Sequence, residues 1–403
     1  MKPDFESDFL WGASTSAHQV EGGNNNDWTQ WEKLNAAALA AEGKSSPARE
    51  PNNYLSGQAA DHYHRYEADL DLAQSIGLRA YRFSIEWSRI EPEPGRYDQA
   101  ELAHYGRVIA AARKRNIEPL VCLWHWTLPV WLSDRGGWSK RANVKHYIEF
   151  VRTVSTALGP KVKFWLTLNE PEVYAFNVYM LGNWLSKRHN PWLYFHSLGN
   201  MIRGHRAAYR LIKAKFPEAQ VGLADDNIYF DAFDRKWVNR IAAAIGTLFW
   251  NHLFMDRIRK QTDFIGLNYY HHVRVDYWRI RNEERYRSDM GWELYPRGLY
   301  FLILNLQRRY HKPIYITEHG LADASDKHRA WYITESLKQV KRAMDHGADV
   351  RGYLHWSLID NFEWDSGFWP RFGLIAVDYQ TQTRTVRPSA RILSQIIQSG
   401  RIE

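Results

Sequence analysis

The feature that most restricts the fold is an alternation that runs the length of the chain. Short apolar runs of strand length recur at 9–14, 80–85, 119–124, 163–168, 220–224, 263–267, 313–317 and 350–357. Between them lie stretches with helical spacing of apolar residues, at 61–77, 101–115, 144–158, 194–216, 299–310 and 329–346. Continuous apolar runs belong to strands buried on both faces, and strands alternating with helices build a parallel sheet. Gly77 and Gly347 close two helical stretches where a C-cap glycine belongs. Pro119, Pro217 and Pro313 fall between helix and strand, where a helix cannot continue.

Eight strands in such a series can close on themselves, which removes both sheet edges. The predicted fold class is α/β, a single (β/α)8 TIM barrel with extended βα loops, with residues 1–403 as one domain. A barrel of this kind takes about 250 residues. The remaining length goes to the loops. The segment 236–259 reads as one helix, with Trp237, Ile241, Ile245, Leu248 and Phe249 placed to pack on the barrel. An Ala-rich stretch at 35–42 reads as a short surface helix.

Composition excludes several classes of function. The single cysteine, Cys122, rules out an internal disulfide, and its apolar run makes it a packed, inert thiol. The start, Met1-Lys-Pro-Asp-Phe-Glu6, lacks the apolar core of a signal peptide, and no run is apolar enough to span a bilayer. The expectation is a cytoplasmic protein without a membrane partner. The net charge is +8, but the basic residues are dispersed, and the densest run, 274–287, is interleaved with Glu283 and Glu284. That is a solvated surface, and no nucleic-acid partner is expected. Asp61-His62-Tyr63-His64 and His271-His272 read as structural, so neither a metal nor a cofactor is expected.

In parallel barrels the active site forms at the C-terminal ends of the strands. Those positions bring together Gln19, Arg82, His125, Asn169, Glu170, Asn268, Tyr270, Glu318 and Trp356. Two of them are carboxylates three strands apart, Glu170 and Glu318, which face each other across the barrel mouth. Cleaving a glycosidic bond needs two carboxyls, one to protonate the leaving oxygen and one to attack or to activate water. The chain also carries 19 Trp and 23 Tyr, and aromatic faces suit the apolar faces of sugar rings.

These residues lie in motifs that resemble glycoside hydrolase family 1. They are Phe9-Leu-Trp-Gly-Ala-Ser-Thr-Ser-Ala-His-Gln19, Arg82-Phe-Ser-Ile-Glu-Trp-Ser-Arg89, Thr167-Leu-Asn-Glu-Pro171, Ile316-Thr-Glu-His-Gly320 and Trp356-Ser-Leu-Ile-Asp-Asn-Phe-Glu-Trp364. The tail from Gly367 to Ala390 looks most like the archaeal branch. The resemblance implies a retaining β-glycosidase acting on small β-linked glycosides or oligosaccharides, with Glu318 as nucleophile and Glu170 as acid/base. It implies that Arg82, Asn268 and Tyr270 support the catalytic pair. It further implies that Gln19, His125, Asn169, Trp356, Glu363 and Trp364 hold the sugar. Expected substrates are unphosphorylated β-glucosides, with β-galactosides or β-fucosides. The loop 363–371 lacks the Ser, Lys and Tyr with which the phospho-specific branch holds a 6-phosphate.

The chain departs from the family pattern in three places. His319 stands where Asn usually follows the nucleophile, and Thr127 stands where Asp is common. The segment 226–263 is short, which predicts a barrel mouth open on the aglycone side unless residues 270–295 fold over the gap. The competing readings are a sugar-binding relative without catalysis, a transglycosylase, and a nucleic-acid-binding barrel suggested by net charge alone.

Overall fold

The computed structural model describes residues 4–43, 48–186, 189–277, 279–282 and 286–402. Met1, Lys2, Pro3, Glu283 and Glu284, used above for the N-terminus and the basic run, lie outside the described residues. Eight parallel strands close into a barrel: β1 (Leu10–Ser14), β2 (Ala80–Ser84), β3 (Glu118–Cys122), β4 (Phe164–Asn169), β5 (Gln220–Asp226), β6 (Phe264–Tyr269), β7 (Ile314–His319) and β8 (Val350–Trp356). Each strand pairs with its neighbours in sequence, and β8 pairs with β1. The predicted barrel is therefore the observed one.

The helices that follow these strands are α1 (His62–Ile76), α2 (Gln99–Lys114), α3 (Val144–Leu158), α4 (Pro191–Lys215), α5 (Trp237–Thr247), α6 (Pro296–Tyr310), α7 (Arg329–Asp345) and α8 (Pro388–Ser399). Period-two alternation divides the strand side chains between two cores. Leu120, Cys122, Phe164, Leu166, Phe264 and Tyr315 fill the barrel interior. Val121, Trp165, Ile265 and Ile316 point outward into the larger core beneath the helices. The interior cluster plugs the barrel beneath the mouth. Cys122 is part of that plug, and burial pushes its thiol up to about 11.

Several local expectations change. Pro119 lies inside β3, opposite Tyr81 of β2, and not at its boundary. The 35–42 helix begins at Asp27, where an Asn26–Thr29 capping box starts it, and it buries Trp28 and Glu32. The 236–259 segment is not one helix. It comprises α5, a π-helical turn at Leu248–His252 and a short helix at Met255–Ile258. The face turned inward is also the opposite of the one expected. Trp237, Ile241, Ile245 and Leu248 are exposed, and only Phe249 rests partly on the core.

The cause is polar anchoring and small residues on the other face. The Asn239 side chain donates to Asp234 and Asp276 and accepts from the Tyr277 amide. Ala243 and Gly246 then allow close approach: a Cβ at Gly246 would meet Phe230 at 2.7 Å. α5 thus packs on a small rim sheet formed by Tyr229–Ala232, His272–Asp276 and Arg279–Ile280. Residues from 272 onward do fold beside the gap, as one wall of the mouth.

His319 follows Glu318 on β7 and so points outward, away from the barrel axis. It is fully buried, stacks on Tyr332 of α7 at 4.7 Å between ring centroids, and pairs through Nδ1 with the Tyr353 hydroxyl at 2.9 Å. Burial pushes its imidazole down to about 3, so the ring is neutral. Gly320 comes next because a Cβ there would sit 1.9 Å from the Trp356 carbonyl oxygen. His319 is therefore a packing residue. The expected outcome for His319→Asn is a loss of about 1–3 kcal/mol of stability in urea denaturation, with kcat on an aryl β-glycoside changed by less than about threefold. A large fall in kcat with unchanged stability would place His319 in the chemistry instead.

Candidate active site

The strand ends deliver the predicted residues to one chamber of about 780 Å³ at the barrel mouth. His125, Glu170, Tyr270, Glu318, Trp356, Glu363 and Trp364 line it. Arg82, Asn169, Asn268 and Gln19 lie behind that surface, each fully buried.

Glu318 is fixed from two sides. Arg82 of β2 donates through Nη1 to Glu318 Oε1, and the Tyr270 hydroxyl donates to Oε2 at 2.6 Å. The guanidinium contact is a charge-assisted hydrogen bond, which fixes the orientation of the carboxyl. Arg82 also donates through Nη2 to Asn169 Oδ1, which takes a second hydrogen bond from Asn268 Nδ2. With its oxygen so occupied, Asn169 turns its amide nitrogen to His125 Nε2 at 3.0 Å. His125 must accept there, so Nδ1 carries its proton. Burial, with Arg82 nearby, drives the His125 imidazole well below its usual range.

Glu170 sits in a different environment. It follows β4 in a left-handed conformation, φ 42°, held by its amide bond to the Ala224 carbonyl of β5. Asn268 Nδ2 donates to its Oε1 at 2.6 Å, while Thr317 donates to Asn268 Oδ1 and fixes that amide. Burial raises the Glu170 carboxyl well above its ordinary range, and the negative charges of Glu318 and Asp226 raise it further. The two carboxyls therefore differ in kind: Glu318 has a buried cation against it, and Glu170 has carboxylates around it.

The opposite wall is polar and aromatic. Gln19, in a short helix after β1, accepts from Ser16 Oγ and donates to the Phe362 carbonyl and to Glu363. Asn361 donates to the same Glu363 oxygen at 2.9 Å. Burial pushes the Glu363 carboxyl up to about 8. Trp356 and Trp364 flank His125 in near-parallel array, at 5.9 and 6.0 Å between centroids. The peptide bond between Trp356 and Ser357 is cis.

The other sequence signals resolve as structural contacts. His62 bridges Asp69 and the Tyr81 hydroxyl, whereas His64 pairs with Asp61, so the two imidazoles serve separate partners. His272 lies against Glu293. Among the described residues no group of three metal-ligating side chains occurs, and no helix is long and apolar enough to cross a membrane. Thr127, in the place where Asp is common, donates to Glu86 and so lies behind the pocket wall.

Sequence reasoning missed the outer chamber. Val173, Phe176, Ile228, Phe230, Trp250, Val273 and Trp292 line it, with Asn177, His271, Arg279 and the carboxylate of Asp226. Asp226 ends β5, so its position at a strand end was the available signal. Also missed were Glu172 and Asp225, two fully buried carboxyls behind Glu170. Burial pushes Glu172 up to about 8 and Asp225 well above its usual range.

The Glycosyl hydrolase family 1 model matches residues 1–260 and 251–401. The chain is 32% identical to the 1,4-beta-D-glucan glucohydrolase of Thermotoga neapolitana, over 98% of each chain. It is similar to the beta-galactosidase of Saccharolobus solfataricus, at 29% identity over 99% of this chain and 96% of the other. The solved beta-glycosidase from Pyrococcus horikoshii superposes with a TM-score of 0.90 at 34% identity, covering 100% of this chain and 97% of that one. Matched along nearly its whole length, and with both carboxyls on the mouth of the expected barrel, this chain belongs to glycosyl hydrolase family 1.

Proposed function

We propose that this β-glycosidase hydrolyses unphosphorylated β-glucosides, and β-galactosides or β-fucosides, with retention through a covalent glycosyl-enzyme. The observation that carries the reading is the electrostatic contrast between its two chamber carboxyls. Glu318, anionic against Arg82 and Tyr270, attacks the anomeric carbon. As the glycosidic C–O bond breaks, Glu170 gives its proton to the leaving oxygen. Glu318 then carries the sugar as an ester and has lost its charge. With that repulsion gone, Glu170 takes a proton from water, and the resulting hydroxide displaces Glu318 from the anomeric carbon. Two displacements restore the β-configuration.

The polar wall supports the sugar assignment. Gln19 and Glu363 offer an amide and a carboxyl side by side, which suits neighbouring hydroxyls. Asn169 and His125 face the 2- and 3-hydroxyl side, and Trp356 underlies the ring. A 6-phosphate would meet the buried Trp364 ring and the carboxyls of Glu363 and Asp365. Relatives bearing the names glucohydrolase and beta-galactosidase support both sugars. The beta-glucosidase of Thermotoga maritima, solved in complex with glucoimidazole, supports a small glycoside-like ligand.

Glu318→Gly is expected to lower kcat on an aryl β-glucoside by at least about a thousandfold. Added azide or formate should restore part of the turnover, giving the product of inverted configuration. Near-normal activity without an added anion would remove Glu318 from the nucleophile role. Glu170→Ala is expected to cost about 10²–10⁴ in kcat/KM for glycosides with poor leaving groups, and much less with an activated phenol that needs no proton. An equal loss across leaving groups of very different acidity would refute the acid/base assignment.

A further inference from the structure

The chamber divides according to the strands beneath it. Loops and residues from β1, β3 and β8 build the polar, aromatic wall around Gln19, His125, Trp356 and Glu363. The other side, over β4 to β6, has mostly apolar walls supplied by Phe176, Ile228, Phe230, Trp250 and Val273, with Asn177, His271 and Arg279 among them. Glu170 stands at the boundary. If it protonates the glycosidic oxygen, the aglycone lies on this apolar side.

Asp226 is the exception in these surroundings. It ends β5 between Glu170 of β4 and Asn268 of β6, its register partner. It is 6% exposed and lines the chamber. Its Oδ2 is fixed by a hydrogen bond from the Trp250 indole at 3.0 Å. Its Oδ1 has no protein partner among the described residues. Among the described residues no cation is paired with it. Arg82 is committed to Glu318 and Asn169, and Arg279 lines the chamber from the rim hairpin without a hydrogen bond or ion pair to Asp226. The charges that act on or with Asp226 are those of carboxyls: Glu170 and Glu172 after β4, Glu318 of β7, and Asp225 beside it on β5. A carboxylate in a mostly apolar enclosure is costly unless something pairs with it. A group on a bound aglycone can reach it from the open side.

We propose that Asp226 is a specificity-determining residue of the aglycone site, accepting a charge-assisted hydrogen bond from an ammonium group carried by an otherwise apolar aryl or alkyl aglycone. The ammonium belongs near the glycosidic oxygen, because Asp226 lies beside Glu170. The excess of carboxyls around Asp226 favours a cation over a hydroxyl. Burial pushes Asp226 up to about 7, so its charge, and with it any attraction for an ammonium, grows as the pH rises. The proposal rests on the reading that Glu170 and Glu318 carry out the cleavage.

The test uses aryl β-glycosides of the best-cleaved sugar that differ only in an aminomethyl, hydroxymethyl or methyl group beside the phenolic oxygen. At pH 8 the expected wild-type kcat/KM favours aminomethyl over methyl by about tenfold or more, mostly through KM. At pH 6 the preference should shrink. In Asp226→Asn the ratio should fall to near one, whatever the variant does to overall rate. Benzylamine binding, read by calorimetry, should follow the same order, with wild type binding more tightly than the variant. A wild-type ratio near one, a ratio kept in Asp226→Asn, or an equal gain for hydroxymethyl would each overturn the proposal. Benzylamine binding that depends on Asp226, without cleavage of any glycoside, would uphold this site and defeat the catalytic reading instead.

Discussion

Arg82 is the group on which the rest of the site depends. Its guanidinium is fully buried, and burying an arginine is costly unless its charge is paired. Glu318 takes a hydrogen bond from Nη1 and Asn169 one from Nη2. Each of those partners passes the constraint on. Glu318 also accepts from Tyr270, and Asn169 sets the tautomer of His125 and accepts from Asn268. Asn268 then donates to Glu170. One buried cation on β2 thereby orients polar groups on β4, β6 and β7 and in the loop after β3. The barrel makes this possible, because closure brings the ends of strands distant in sequence to one mouth.

The same cation creates the difference between the two carboxyls. Both glutamates are nearly buried, at 5% and 3% exposure. Burial alone raises a carboxyl's proton affinity. Glu318 has a guanidinium and a phenol hydroxyl directly against it. Glu170 has an amide donor and, beyond that, the carboxyls of Glu318 and Asp226. Behind Glu170, burial raises the Glu172 and Asp225 carboxyls in the same direction. Two residues of the same type are thus tuned apart by what surrounds them.

Most of the barrel was legible in the sequence because its strands are buried on both faces and stand out as apolar runs. The ring of residues at the mouth followed from topology once those strands were placed. What was not legible depended on contacts between loops. Trp237, Ile241, Ile245 and Leu248 have the spacing of a core-facing stripe, yet that face is exposed. Periodicity identifies a face but not the neighbour it meets. Here Asn239, Ala243 and Gly246, which look unremarkable in the sequence, determine the packing. His319 was read as a variant beside the nucleophile, whereas a register shift in β7 between Ile316 and Glu318 turns Glu318 to the mouth and leaves His319 packed on Tyr332 and Tyr353. Asp226 was passed over because a lone aspartate after a strand is ordinary, and its significance comes from apolar residues on three other segments.

The division of the chamber follows from how its two sides are built. The sugar side rests on strand ends and on the 356–364 turn, with Gln19 held by the Phe362 carbonyl and Glu363, and Glu363 held also by Asn361. Such a wall cannot shift without breaking several hydrogen bonds at once, so it suits a ligand whose hydroxyls have fixed positions. The aglycone side rests on the rim sheet and on the turn after α5, and its contacts are mostly between apolar side chains. Apolar contact discriminates weakly among shapes, by only about 1–3 kcal/mol for a methylene. In a wall of that kind a fixed carboxylate carries more directional information than the apolar contacts around it. Stringency is therefore expected to be concentrated on the sugar, and selectivity for the aglycone on the few polar groups among its apolar walls.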